Sequence, residues 1–341
     1  TSLSGETVMV AESDRTNNGS PNEPPVDSAA LAEQVKSLAR KGKFKEAERL
    51  RDNLLEKDPM ALAHIVSTAE VIEEEKTRFL DKDHLAVWDQ LYKDLSDEET
   101  NCLFFSMDEA QVASNKLLLA QGKKNSRLFF IDSGKVAVFF RKGEKNMPLG
   151  QLSRGDVLGE DNFFGISLCT TSAVTQSKVK LRHLGRQDVE AWHDKLPGLY
   201  EKLAAYCEKH GRNRQLAARK SLEKRTYERY GASAVATAYL VNAEGEKEDT
   251  YFRGPVTDIS RSGICLSIKC SKQETARALL SKNVQVAVAF DEMADKVFKT
   301  YGAIVKVTYH LHNDYDLHVR FSSIISDEVF QKFPCSSSNE G

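Results

Sequence analysis

Two groups of side chains have the types and the spacing to bind an anionic ligand. Arg225 and Arg229 stand four residues apart, and Asp258, Ser260 and Gly263 follow as a second group. An arginine is a planar, permanent cation that can fork to a phosphate and can also stack on a flat ring. A carboxylate accepts hydrogen bonds from ring N–H groups, and a glycine permits backbone angles that are closed to other residues. Because they are four residues apart, Arg225 and Arg229 can reach one ligand from a single turn or loop.

Side chains of other kinds support weaker hypotheses. His310, His312 and His318 lie across one predicted hairpin, where a metal site is conceivable. No carboxylates are arranged to complete such a site, so exposed strand histidines are the better interpretation. The sequence contains no P-loop, GxSxG, HExxH or GxGxxG motif. We therefore predict a binding protein with no metal, no cofactor and no enzymatic activity.

The net charge is close to zero, so an anion site must be local. The 341 residues include 48 basic and 50 acidic side chains, for a formal charge of −2. Residues 211–230 nevertheless contain seven basic and two acidic side chains, and this run includes both arginines. Lys224 within the run and Arg261 beyond it are predicted helpers that raise the local positive potential.

Composition predicts a cytoplasmic protein without a membrane span. Hydrophobic residues make up 40% of the chain and charged residues 29%, with no apolar run of the roughly 18 residues that a membrane helix needs. The six cysteines form no CxxC pair and no His/Cys cluster with zinc spacing, as is typical of scattered thiols in a reducing compartment. The first residues, TSLSGETVMV, lack the basic start and the long apolar core of a signal peptide.

The N-terminal part divides into a tail and a helical segment. Residues 1–28 are rich in Pro, Ser and Asn and poor in large apolar residues, which predicts a disordered tail. Within 29–78, apolar residues recur at helical spacing. The stretch KGKFKEAERLRDNLLEKDP resembles a tetratricopeptide helix pair, but a solenoid needs about three repeats and only one is found. A helical hairpin that packs on a neighbour or dimerises is therefore the favoured interpretation.

Residues 79–212 change from helices to short strands. Two short helical segments, 84–95 and 98–105, precede strands predicted at 116–119, 128–131, 135–140 and 174–184. Glycines mark the corners between them, which favours a rolled β-structure. The stretches QGKKNSRLFFIDSGKVAVF, LSRGDVLGE and TSAV resemble the cyclic nucleotide-binding domain of the catabolite-activator family.

That resemblance implies a degenerate site for a cyclic mononucleotide. In the family, the Gly-Glu pair corresponding to Gly159 and Glu160 opens a phosphate-binding cassette, and the Glu accepts the ribose hydroxyl. An Arg should then pair with the cyclic phosphate, but Thr170 or Thr171 stands there, just before Ser172. A neutral hydroxyl bonds an anion more weakly than a guanidinium does, so affinity should fall about tenfold or more. A scaffold that binds no cyclic mononucleotide is therefore favoured over a cAMP sensor.

Residues 213–341 are predicted to form a second β-domain. A helix beginning at Pro197 connects to it and is a plausible dimer seam. Six strands follow at close spacing, at 234–241, 251–259, 263–268, 284–290, 297–309 and 316–321, which favours a small antiparallel barrel. The RTYER and DISRSG motifs, in this order and in a β-rich context, resemble the PilZ domain, the bacterial receptor module for cyclic di-GMP.

The PilZ resemblance implies roles for the two groups of residues. Arg225 and Arg229 would bind the phosphates and guanines of cyclic di-GMP, and Asp258 would accept from guanine N1–H and N2–H. Closing the arginines over the ligand would move the connector and change the surface offered to a protein partner. The fold class is thus multidomain and mainly β with helices: a helical segment, a β-roll and a six-stranded barrel.

Two alternatives remain open at this point. In the first, the β-roll also binds cAMP or cGMP and the protein is a dual sensor. In the second, both nucleotide sites have decayed and the chain is a structural adaptor. DNA binding is not expected, because strands replace the helix-turn-helix that follows the β-roll in catabolite activators.

Overall fold

The computed structural model describes residues 27–142, 145–192, 195–211, 227–270, 273–291, 297–310 and 314–337. The predicted tail lies almost entirely outside these residues. The chain divides into two compact units, residues 1–79 and 80–341. Among the described residues, no helix is long and apolar enough to cross a membrane.

The smaller unit contains three helices, α1 (Ser28–Arg40), α2 (Phe44–Lys57) and α3 (Leu62–Arg78). Asp27 caps α1 by accepting from the Ala30 amide at 2.9 Å, and Gly42, at φ +71°, makes the turn to α2. Leu54 and Ile72 are almost fully buried in the shared core. The predicted hairpin therefore has a third helix, because the apolar residues of α3 repeat at the same helical period and need burial too.

The larger unit begins with a β-roll and its associated helices. Three helices precede the roll: α4 (Lys82–Val87), α5 (Asp89–Tyr92) and α6 (Asp97–Phe105). The strands are β1 (Met107–Val112), β2 (Leu117–Leu119), β3 (Arg127–Ser133), β4 (Val136–Lys142), β5 (Lys145–Leu152), β6 (Val157–Leu158), β7 (Ile166–Ser167), β8 (Ser172–Thr175) and β9 (Val179–Gly185). Two four-stranded sheets, in the orders β1-β9-β3-β6 and β2-β8-β4-β5, form the roll.

The roll differs from the sequence prediction in one split strand and several additional strands. The strand predicted at 174–184 is two strands, β8 and β9, which belong to different sheets. The chain changes sheets at residues 176–178, where the Ser177 hydroxyl accepts from the Lys135 amide. Strands β1, β5, β6 and β7 were not predicted. Pro148 in β5 is tolerated because β5 is an edge strand.

Three further helices complete this part: α7 (Glu160–Phe164), α8 (Arg186–Trp192) and α9 (Pro197–His210). Pro197 occupies the first turn of α9, where its missing N–H costs nothing. Leu199, Leu203 and Cys207 form the buried face of α9 and pack in one core with Trp88 and other residues of the roll. One face of α9 therefore packs against the roll.

Six antiparallel strands close into a barrel in the C-terminal part, which confirms the predicted fold class. They are β11 (Ala234–Val241), β12 (Lys247–Ser260), β13 (Gly263–Lys269), β14 (Asn283–Phe290), β15 (Val297–Tyr309) and β16 (Asp314–Phe321). The order around the barrel is β11-β14-β15-β16-β13-β12, and β12 pairs again with β11. Short elements flank it: β10 (Tyr230–Ala232), α10 (Gln273–Leu279), α11 (Asp327–Phe330) and β17 (Cys335–Ser337).

One strand of the β-roll region is also a strand of the barrel sheet. In β7, Ile166 pairs with Val307 and Ser167 with Lys306 on β15, and the Leu168 amide donates to the Val305 carbonyl at 3.0 Å. Ile166 and Leu168 are each 8% exposed and belong to the barrel core. Roll and barrel are therefore joined by backbone hydrogen bonds and by a shared hydrophobic core.

Candidate functional site

The first candidate contact is an ion pair at the entrance to the barrel strands. Arg229 directly precedes β10, and Asp258 lies near the end of β12. One Arg229 nitrogen, Nη1, donates to both carboxylate oxygens of Asp258 at 3.1 Å. The Arg229 side chain is 44% exposed and that of Asp258 24% exposed. The structure thus brings together two residues that were predicted to share a ligand, and it leaves their charged groups accessible.

Ser260 and Gly263 build the turn between β12 and β13. The Ser260 hydroxyl is buried, donates to the Gly263 carbonyl at 3.3 Å, and accepts from the Ser262 amide at 3.3 Å. Gly263 does not have a positive φ, so the expectation that it supplies a special backbone angle is wrong. Its role is steric: a Cβ at this position would lie 2.5 Å from the Val319 carbonyl oxygen of β16.

The predicted helper Arg261 contacts the C-terminal segment. Its Nε donates to the Ile325 carbonyl at 2.7 Å and its Nη1 to Asp327 at 2.6 Å. The guanidinium also stacks over the ring of Tyr227, 4.8 Å from its centroid. Arg225 and Lys224 lie outside the described residues.

A row of paired residues leads from Asp258 to the β-roll. Asp258 pairs with Cys265, Cys265 with His318, His318 with Lys306, and Lys306 with Ser167 of β7. Neighbouring strands lie about 4.8 Å apart, so Lys306 is roughly 14 Å from Asp258 across the sheet. The ion pair and the roll–barrel junction therefore share one outer surface of the barrel.

The electrostatics of this row favour a neutral histidine. Burial lowers the pKa of His318, and the nearby charges of Lys306 and Arg229 lower it further. The carboxylates of Asp258 and Asp316 act in the opposite direction, without reversing the shift. Nε2 of His318 is 3.0 Å from the Thr308 hydroxyl. Burial also raises the pKa of the Cys265 thiol to about 12, so this thiol is protonated at neutral pH.

A cavity of about 1040 Å³ opens between the barrel and the roll. The barrel lines it with basic side chains, and the opposite wall is acidic and aromatic. The barrel residues include Arg229, Lys306, His318 and Arg320; the facing residues include Glu160, Asp161, Phe164, Tyr200, Glu201 and Glu208. A wall of cations facing a wall of carboxylates can bind a ligand that carries both phosphates and N–H donors.

The predicted cassette residues lie around α7 and β8. Gly159, at φ +94°, precedes α7, and a Cβ there would lie 2.7 Å from the Arg127 carbonyl. Glu160 is 3% exposed and lines the cavity. Thr171 is also 3% exposed, and the Ser172 hydroxyl accepts from the Gln121 amide at 3.0 Å. The sequence has no arginine or lysine at Thr170, Thr171 or Ser172, where the phosphate-binding arginine of the cassette is expected.

The histidines considered for metal binding are dispersed among other contacts. Nε2 of His310 lies 2.9 Å from Asp316, and His312 lies outside the described residues. Within the described part of the chain, no cluster of three or more His, Cys, Asp or Glu side chains could bind a metal ion.

A comparison with known protein families identifies the kind of domain that the β-roll forms. Residues 109–195 match the family model described as Cyclic nucleotide-binding domain. These residues form a cyclic nucleotide-binding domain. Such a domain indicates a regulatory role in nucleotide sensing. No curated protein matches the chain.

Solved structures also resemble part of this chain. The N-terminal domain of a Streptomyces coelicolor A3(2) transcriptional regulator is 24% identical, with 39% of this chain and 87% of that chain covered and a TM-score of 0.31. A cyclic nucleotide-binding domain from Methylobacillus flagellatus is 19% identical, with coverages of 42% and 83% and a TM-score of 0.36. The Thermus thermophilus catabolite activator protein is 26% identical, with coverages of 39% and 62% and a TM-score of 0.32.

Sequence reasoning did not find the basic wall of the cavity. Lys306 and Arg320 were not singled out, and His318 was considered only as a metal ligand. The available signal was strand alternation: Leu317 and Val319 point inward on β16, so His318 and Arg320 point outward. Their approach to the roll, however, depends on the pairing of β7 with β15, which no local pattern reveals.

Proposed function

We propose that this chain is a receptor for cyclic di-GMP that couples ligand binding at the barrel to the cyclic nucleotide-binding domain. The observation that carries the proposal is the contact between Arg229 and Asp258, made by the two motifs that suggested this ligand. The closed six-stranded barrel also supports it, since that is the architecture expected of a PilZ domain.

The chemistry of the two side chains matches the ligand. Arg229 can fork to a phosphate or to guanine O6 and N7. Asp258 can accept from guanine N1–H and N2–H. Arg225, four residues before Arg229, is the second arginine of the proposed site. Ser260 and Gly263 act by shaping the β12–β13 turn that positions Asp258.

The cyclic nucleotide-binding domain relays the signal in this proposal. Residues 166–168, which follow the α7 cassette helix, are bound to β15 of the barrel. A ligand that shifts β15 or its neighbours therefore acts directly on the cassette. The resulting change in surface would be recognised by a protein partner, and a homodimer through α9 is compatible with the same output.

A cyclic mononucleotide is the weaker candidate ligand. The matched family supports it, and Glu160 lines the cavity. Thr170 and Thr171, however, stand where a phosphate-binding arginine is expected. We therefore expect cAMP and cGMP to bind at least tenfold more weakly than cyclic di-GMP, for lack of a charge-assisted bond.

Isothermal titration calorimetry of the whole chain tests the proposal. We expect micromolar or tighter binding of cyclic di-GMP, about −8 kcal/mol or better. The variants Arg229→Ala and Asp258→Ala should each weaken binding at least tenfold, because each removes a charged partner. Arg253→Ala is the matched control, since Arg253 is an exposed arginine of the same strand as Asp258.

Three outcomes are informative. Loss of binding in Arg229→Ala and Asp258→Ala, but not in Arg253→Ala, would support the receptor. Tight binding of cAMP alone would favour a sensor of cyclic mononucleotides. If neither nucleotide binds the wild-type chain, the receptor proposal is wrong and the structural adaptor remains.

A further inference from the structure

The cavity between the barrel and the roll extends the proposed cyclic di-GMP site beyond the barrel. Arg229 belongs to both places, because it pairs with Asp258 and also lines the cavity. From there the barrel wall continues over the neutral His318 to the cations Arg320 and Lys306. A ligand held at Arg229 therefore lies at the edge of the cavity, next to further cations.

The opposite wall is formed largely by one face of α9. Tyr200, Glu201, Ala204, Ala205 and Glu208 line the cavity, while Leu199 and Leu203 are buried in the roll. Glu201 and Glu208 are seven residues apart, which places them two turns and about 10.5 Å apart along the same face. Ala204 and Ala205 lie between these glutamates and line the cavity. Because their side chains are small, a flat ring can pack against this part of α9.

The aromatic part of this wall suits a purine. Tyr200 and Phe164 contact each other edge to face, with ring centroids 5.6 Å apart, and both line the cavity. Aromatic side chains stack on bases whatever their identity. Carboxylates beside such a ring select guanine, whose N1–H and N2–H are adjacent donors, over adenine, which lacks that pair.

The size of the cavity agrees with a large ligand. At about 1040 Å³ it lies just above the roughly 300–1,000 Å³ range of small-molecule sites. Cyclic di-GMP carries two phosphates and two guanines, so one guanine can remain at Asp258 while the other reaches beyond the barrel.

We infer that the second guanine of cyclic di-GMP binds in this cavity, with its phosphate on Lys306 and Arg320 and its N–H edge on Glu201 of α9. The inference rests on the proposed function and extends it, because the cyclic nucleotide-binding domain then supplies part of the cyclic di-GMP site. Selectivity for guanine is decided partly by α9.

Two variants of the full chain test this inference. Ala205→Trp places a large ring in the cavity from an exposed position and should weaken cyclic di-GMP binding at least tenfold. Glu201→Gln keeps the shape but removes the charge and one acceptor. It should weaken cyclic di-GMP binding about tenfold and reduce the preference for cyclic di-GMP over cyclic di-AMP. Binding is measured by calorimetry, and the unfolding midpoint of each variant is compared with that of the wild type.

The controls repeat each substitution elsewhere. Ala30→Trp introduces the same ring at an exposed position of α1, and Glu248→Gln removes an exposed carboxylate from β12. Both should bind within twofold of the wild type. If Ala205→Trp unfolds at a lower temperature than the wild type, the isosteric Glu201→Gln decides the question.

The inference and the proposed function fail in different ways. If Arg229→Ala abolishes binding while Ala205→Trp and Glu201→Gln bind like the wild type, the ligand lies on the barrel alone. The receptor then stands and the inference is overturned. Hydrogen exchange provides a second readout: protection of 199–208 by cyclic di-GMP is expected, and protection confined to barrel peptides contradicts the inference. Absence of wild-type binding would refute the proposed function itself.

Discussion

At the residue scale, the four described residues of the predicted site are of two kinds: Arg229 and Asp258 form an ion pair, and Ser260 and Gly263 shape the adjacent turn. Arg229 and Asp258 neutralise each other at 3.1 Å, so a ligand must replace this contact with better ones. Exposed ion pairs are worth about 0–1 kcal/mol, so the replacement costs little. Ser260 and Gly263 are structural parts of the neighbouring turn. A binding motif is therefore a mixture of contact residues and residues that shape the backbone.

Gly263→Ala tests the steric role of the glycine. The new Cβ would lie 2.5 Å from the Val319 carbonyl oxygen, so β13 or β16 must move. We expect a loss of about 1–3 kcal/mol in the free energy of unfolding, measured in urea. Gly198→Ala in α9 is the control, since its Cβ would come no closer than 4.0 Å to a neighbour. A neutral Gly263→Ala would contradict the steric explanation.

His318 predicts a pH dependence of stability. Its pKa is lowered in the folded protein, by burial first and then by Lys306 and Arg229. The unfolded chain therefore binds the proton more readily, and the contribution of His318 to stability is complete above about pH 6.5 and is lost as the pH falls through the folded pKa. His318→Gln should flatten the decline in unfolding free energy between about pH 7 and 5. An unchanged slope, equal to that of the control His183→Gln, would refute this assignment.

At the element scale, β7 decides how the two β-structures meet. Two residue pairs with β15 and the Leu168 amide bond connect the roll to the barrel sheet. Burying each of Ile166 and Leu168 contributes about 1.5–3 kcal/mol, which is more than the hydrogen bonds add. The junction is therefore held mainly by apolar contacts within the barrel core.

Leu168→Ala should weaken this junction. Leu168 is 8% exposed, and truncating a buried leucine costs about 2–4 kcal/mol through lost burial and the cavity that remains. Leu117→Ala is the matched control, because Leu117 is 59% exposed and should change stability by less than about 0.5 kcal/mol. Equal effects of the two substitutions on the urea midpoint would mean that Leu168 does not anchor the barrel.

At the scale of the whole molecule, the roll and the barrel belong to one compact unit. They share a core cluster, and the barrel's basic wall faces the acidic face of α9 across the cavity. A rigid-body rotation of the roll relative to the barrel would break the β7–β15 pairing. We therefore expect ligand binding to change the width of the cavity while β7 and β15 stay paired.

The two tryptophans can report this coupling. Trp88 and Trp192 are both buried in the roll and its helices, and neither lies in the barrel. A ligand at 100 times its dissociation constant adds about 2.7 kcal/mol to the cooperative unit that binds it. Saturating cyclic di-GMP should therefore raise the unfolding free energy seen by tryptophan fluorescence. If the unfolding free energy measured by tryptophan fluorescence does not change with the ligand, roll and barrel unfold independently.

The sequence alone determined the six barrel strands and most elements of the roll. Alternating apolar residues and turn residues are local signals, and each barrel strand was found from them. The ranges 234–241 and 284–290 lie within one residue of the observed strands at each end. The pairing partners Arg229 and Asp258 were also found, through the RTYER and DISRSG motifs that carry the PilZ resemblance. Edge strands such as β5, and the third helix of the smaller unit, were not identified separately.

Only the tertiary structure decided where the two β-structures meet. Ile166 and Leu168 look like ordinary apolar residues of the cassette, and nothing in their neighbourhood indicates that β15 is their partner. Pairing between segments more than 130 residues apart depends on surfaces that exist only after both parts have folded. The same holds for the cavity, since Lys306 and Arg320 come to face Glu201 through space and not through any spacing along the chain.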